Sequence, residues 1–199
     1  MSMTNCDQLR TLRLSIIAYR DFYMDTDALK CSEFFNMSTQ SGDLVEFVRS
    51  IRSLGGGIAR KSGMEALFCA MHGKWLRDER DNEHIICVIT DAEAYYPEDP
   101  QRRAGQYYED TLKRFTSDTC EVMPDDMDGM RRLWRDGAGT LDNWHSSLVL
   151  LTPPCESWLE VARWPRVYHD IYDAEGIRHL SLKTIVEKSC LPLRNAQTH

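Results

Sequence analysis

Apolar positions recur along this chain in two periods, and the switches between them mark out its elements. Leu12–Tyr19 (LRLSIIAY) alternates partly, then runs apolar up to Arg20 and Asp21, which predicts a buried strand. Ala28–Met37 predicts a second, weaker strand. The period then becomes helical. Leu44, Val45, Val48, Ile51 and Leu54 follow a cap at Ser41 or Asp43, and Gly55 stands where a glycine ends a last turn. Ser62 opens another helix, with Met64, Leu67, Phe68, Met71 and Trp75 on one stripe. His84–Thr90 (HIICVIT) is short, β-branched and continuously apolar, as a central parallel strand is, and it stops at Asp91.

Residues 92–129 are irregular, with a short helix expected near Gln106–Phe115. Asp125–Gly137 predicts a helix stopped by its glycine, and Ser146–Pro154 a strand ended by prolines. Cys155–Trp164 predicts a helix, Arg166–Tyr172 a short strand and Ile177–Ser189 a last helix. Strands alternating with helices from Leu44 onward predict an α/β fold with a mainly parallel sheet. No repeat or linker divides the chain, so residues 1–199 read as one domain. Ligands of such folds bind beyond the carboxyl ends of the strands. Asp21, Asp91 and the Thr152-Pro153 turn are therefore expected along one edge.

Charge and composition narrow the partners. A net charge of −7 and a pI near 5.4 argue against nucleic acid or an anionic membrane as the main target. No apolar run reaches membrane-span length, and the first ten residues hold no apolar signal segment, so a cytoplasmic protein is expected. The seven cysteines are scattered without a C-x-x-C pair, which suits small buried side chains better than zinc or disulfides.

The candidate chemistry centres on residues 55–62, GGGIARKS. Gly55, Lys61 and Ser62 match the phosphate-loop pattern G-x-x-x-x-G-K-[ST], and the apolar strand ending in Asp91 offers the acid that holds magnesium in many nucleotide hydrolases. Two features oppose this. The segment before Gly55 is helix-periodic, and Arg60 stands where glycine lets the backbone approach phosphate.

Ile16–Phe22 (IIAYRDF), Gly55–Gly57, Ser62–Leu67 (SGMEAL) and Ile86–Ala92 (ICVITDA) together resemble the von Willebrand factor A family, in its bacterial-type subgroup. The later MRRLWRDGAG, SLVLLTPP and SWLEVARWPRV extend the resemblance over about residues 12–191. It implies a doubly wound, Rossmann-like sheet and a partner held through a magnesium-like ion at the sheet's carboxyl edge. Of the three metal-holding loops it implies, this sequence matches the third, through Asp91. In the second, Ile58 takes the place of an oxygen ligand after Gly55, Gly56 and Gly57, and Arg60 and Lys61 follow. At about 6 Å each of those cations would oppose a bound ion by roughly 0.7 kcal/mol in water. The first loop, Asp-x-Ser-x-Ser, does not occur. The chain thus reads as truncated relative to the family, without its first strand and helix. Its two neighbouring strands would then close up or take a strand from elsewhere.

The reading that follows is a non-enzymatic protein-binding domain with a degenerate metal site, needing no cofactor. Gly55, Gly56, Gly57, Ile58, Arg60, Lys61, Ser62 and Asp21 are its candidate binding residues, with Asp91 a vestigial metal ligand. Arg60 and Lys61 suggest an acidic surface on the partner. One alternative is a functional Mg2+ site completed by an upstream segment or a strand-completing oligomer. The other is a nucleotide hydrolase using Lys61, Ser62 and Asp91. Asp25 and Asp27 read as turn residues rather than a phosphatase pair, and Ser62 as the cap of its helix. Asp21 reads as a turn cap or a supporting acid. Tyr95, Tyr96, Tyr107, Tyr108, Arg102 and Arg103 fall in the loop after Asp91, which would overhang the ligand edge.

Overall fold

The computed structural model describes residues 11–22, 24–25, 27–52, 60–76, 82–100, 112, 122–142 and 144–189. Its centre is a three-stranded parallel sheet in the order β6 (His84–Ile89), β8 (Ser146–Thr152), β9 (Val167–Ile171). β8 is buried along its whole length, as a parallel strand covered on both faces must be. This is an α/β fold.

Smaller ladders lie around that sheet. β1 (Arg13–Leu14) pairs antiparallel with β4 (Phe35–Asn36), and β2 (Ile17–Tyr19) with β3 (Leu29–Cys31). The single strand expected over 12–19 is thus two, as is that over 28–37. The break is fixed by Ser32, whose hydroxyl accepts from Ile16 N–H and whose neighbourhood holds the Ser15 hydroxyl. β5 (Arg60–Lys61) runs parallel to β7 (Glu93–Ala94).

α1 (Ser41–Arg49) begins after Gln40, and neither Ser41 nor Asp43 caps it with its side chain. It ends at Arg49; Gly55 lies outside the described residues. Leu44 and Phe47 are half-buried, whereas Val45 and Val48, expected on the inner stripe, are exposed. α2 (Gly63–Met71) carries the predicted stripe: Met64, Leu67, Phe68 and Met71 are buried. α3 (Met127–Asp136) is capped by the Asp126 side chain, which accepts from Gly129 N–H, and ends at Gly137, whose φ of 91° suits glycine. Met127, Met130 and Trp134 form its buried side.

α4 (Glu156–Val161) buries Trp158 against Gly63 at the start of α2. The last predicted helix is two, α5 (Ala174–Arg178) and α6 (Leu182–Ser189), because the Ser181 hydroxyl accepts from Thr184 N–H and restarts the chain. Between α4 and β9, Arg166 adopts φ of 57°. Its Nε donates to Ser146 O, and its guanidinium lies over the Trp134 ring, whose Nε1–H donates to Pro165 O. Among the described residues no helix is long and apolar enough to cross a membrane.

Candidate functional site

β6 and β8 end together: Thr90 N–H donates to Leu151 O, and Tyr172 N–H closes the same edge on Thr152 O. Asp91 and the Thr152-Pro153 turn therefore share one edge. β2 reaches that edge through Tyr19, which lies against Thr90 and Asp91. The Tyr19 hydroxyl is buried without a hydrogen bond of good geometry, and burial pushes its pKa up to about 12.

The residues after β2 are tied to β5 and α2. Ser62 N–H donates to Arg20 O, and the Ser62 hydroxyl, fully buried, accepts from Phe22 N–H at 3.0 Å. Ser62 occupies the N-cap position of α2 but makes no side-chain cap bond. The capping role expected for it gives way because Phe22 N–H arrives from β2 and takes the hydroxyl. Asp21 is fully buried, and its Oδ2 accepts from the Tyr95 hydroxyl at 3.3 Å. Its carbonyl accepts from Met24 and Asp25 N–H, while the Asp25 carboxylate reaches back to Asp21 N–H. Asp25 rather than Asp21 is the side-chain cap of this turn. Burial, first of all, and then Asp21 push the Tyr95 phenol up to about 12.

Arg60 and Lys61 form β5 itself, in register with Glu93 and Ala94. Arg60 Nε donates to Glu93 at 3.1 Å and its Nη1 to Asp99 at 3.3 Å, which hold its pKa up. Its charge is thus met within the chain. The cation this loop keeps toward solvent is Lys61, half-buried and without an ion pair among the described residues. Asp91 is exposed. Beside Asp99, an open depression of about 410 Å³ is lined by Tyr96, Glu98, Asp99 and Pro100. Gly55, Gly56, Gly57 and Ile58 lie outside the described residues, as do Arg102, Arg103, Tyr107 and Tyr108.

These placements bear on the two ligand chemistries. A phosphate loop follows a strand and keeps its Lys and Ser facing the phosphates. Here the strand, β5, contains the Lys, and the Ser hydroxyl is buried on Phe22 N–H. A magnesium site needs several oxygens converging on one point. Among the described residues no group of three His, Cys, Asp or Glu is so arranged. Asp21 and Ser62 already serve internal bonds, so the residues described do not fit the ion the resemblance implies.

Sequence reasoning reached Asp21, Lys61, Ser62 and Asp91 but missed Glu93, Tyr95 and Asp99 as the partners that close the site. Their contacts span 33, 74 and 39 residues respectively, and no local pattern announces them. The fold and site together define an α/β domain with a polar, carboxylate-bearing edge. The chain matches no protein-family model, no curated protein and no solved structure.

Proposed function

We propose that this chain is a non-enzymatic, von Willebrand factor A-like domain that binds a protein partner at the carboxyl edge of its sheet, without a bridging ion. One observation carries this reading. Asp21, Ser62 and Arg60 are consumed by Tyr95, Phe22 N–H and the Glu93–Asp99 pair, while Asp91 is exposed and the half-buried Lys61 has no ion pair among the described residues. Buried, mutually satisfied polar groups build a rigid platform. Charges carried on such a platform suit recognition of a partner surface.

The test pairs metal titration with partner capture. A co-purifying protein should be lost in the Asp91→Ala/Lys61→Glu double variant and kept in excess chelator. Tight, stoichiometric magnesium or manganese binding abolished by Asp91→Ala would overturn the ion-independent reading and favour a completed metal site. ATP or GTP binding lost in Lys61→Ala would replace it with a nucleotide hydrolase.

A further inference from the structure

Among the described residues β6 is bound along one edge only. His84 N–H donates to His145 O and Thr90 N–H to Leu151 O, so the even-numbered residues serve β8. Main-chain groups alternate between the two sides of a strand, so those of Ile85, Cys87 and Ile89 point away from β8. Among the described residues no strand pairs with that side. β2 is similar. Arg20 N–H donates to Ala28 O and Ser32 N–H to Ile16 O, which turns the groups of Ile17 and Tyr19 away from β3. β2 and β6 both pack on α2, and Tyr19 meets Thr90 and Asp91. No ladder joins the two strands.

A β-branched parallel strand is ordinarily interior, with neighbours on both sides, and an open edge of that kind pairs with any extended chain that reaches it. What stands at its ends selects the chain. Glu83 precedes β6 and Asp91 follows it, both exposed. Between these two carboxyl-bearing residues the strand is apolar, with Ile89 at 38% exposure.

We propose that the free edge of β6 is a strand-docking site for an extended apolar segment of a protein partner, flanked by lysine or arginine. Its backbone pairs with Ile85, Cys87 and Ile89, and its flanking cations meet Glu83 and Asp91. The main-chain bonds supply affinity and the end charges supply direction and register. The proposal rests on the protein-binding reading above and names how the partner is held.

The probe is a synthetic peptide of alternating valine and threonine with a lysine at each end, beside a copy N-methylated at alternate residues. Amide hydrogen exchange is read on the full chain. Ile85, Cys87 and Ile89 exchange readily in the chain alone, and the plain peptide slows them by about tenfold or more. The N-methylated copy does not. Glu83→Lys/Asp91→Lys weakens peptide binding about tenfold. Ile89→Pro removes one outward donor and no bond to β8, and lowers binding while the His84 and Thr90 amides stay protected. Slow exchange at the three amides in the dilute chain alone overturns the proposal, since the edge is then already paired. So does protection that grows with chain concentration without peptide, which would make the occupant a second copy. Equal binding of the N-methylated peptide overturns it as well. The metal and nucleotide titrations test the function independently, because neither reads the β6 amides.

Discussion

A methyl group on Gly63 would stand 2.7 Å from Cζ2 and 2.9 Å from Cη2 of Trp158, and 3.0 Å from the Ala94 Cβ. Trp158 has no room to yield. It is fully buried, and its Nε1–H donates to Ala92 O at 2.9 Å, so the indole cannot slide without giving up that bond. Overpacking of this kind costs about 1–3 kcal/mol. Alanine in place of a helical glycine returns up to about 1 kcal/mol, and less in a first turn. Gly63→Ala is therefore expected to lose about 1–2 kcal/mol, which lowers Tm by about 3–6 °C in a chain of this size. Gly42 provides the matched control. It also lies in the first turn of its helix, and a methyl there meets nothing within 4 Å. Gly42→Ala should gain about 0.5–1 kcal/mol. Urea denaturation followed by tryptophan fluorescence and circular dichroism measures both. If Gly63→Ala proved neutral, or stabilising like Gly42→Ala, then Trp158 would not be seated on the start of α2.

Three further outcomes follow from the same geometry. Ser62→Gly and Ser62→Ala should each cost about 1–2 kcal/mol by urea denaturation, because both remove the acceptor of Phe22 N–H; a helix cap would lose only a few tenths with glycine. Burial, above all, and nearby His145 pull the His84 pKa below 6.5, against the opposing Leu76 carbonyl bond and Asp142. The unfolded chain thus takes up the proton first on acidification. Stability should be full above about pH 6.5 and fall as pH drops toward the folded pKa, with the slope reduced in His84→Gln when about pH 7.5 and about pH 5.5 are compared. Burial also pushes the Cys31 thiol up to about 12, so iodoacetamide at about pH 8 should spare Cys31 in the native protein and label it in urea.

The elements legible in the sequence were those whose own composition settles them. HIICVIT and SSLVLLT are apolar enough to be strands wherever they pack, and the stripe of α2 is apolar enough to be buried by any sheet. The short ladders were not legible. Arg60–Lys61 and Glu93–Ala94 have no strand character of their own, and tertiary pairing with a partner 33 residues away makes them strands. The same distance hid the fate of Arg60, which sequence spacing presents as a surface cation and the fold assigns to Glu93 and Asp99. Val45 and Val48 obeyed helical spacing but face outward, because α1 turns Leu44 and Phe47 inward, with the Phe47 ring 6.4 Å from that of Phe35.

Arg166 holds a left-handed backbone that costs a non-glycine residue about 1–2 kcal/mol. Its carbonyl accepts from Leu148 N–H, its Nε donates to Ser146 O, and its guanidinium rests on Trp134. β9 is half-buried from Val167 to Asp170, exposed at Ile171 and weakly patterned, so burial of its side chains chooses poorly between alignments. Arg166 makes that choice for them. A slip of one residue along β8 would pull it from Ser146 and from Trp134 at once. The local strain thus acts as a proofreading device for strand alignment. Changes within Val167–Ile171 should weaken β9 without shifting it, whereas loss of Arg166 would let the last strand settle out of phase.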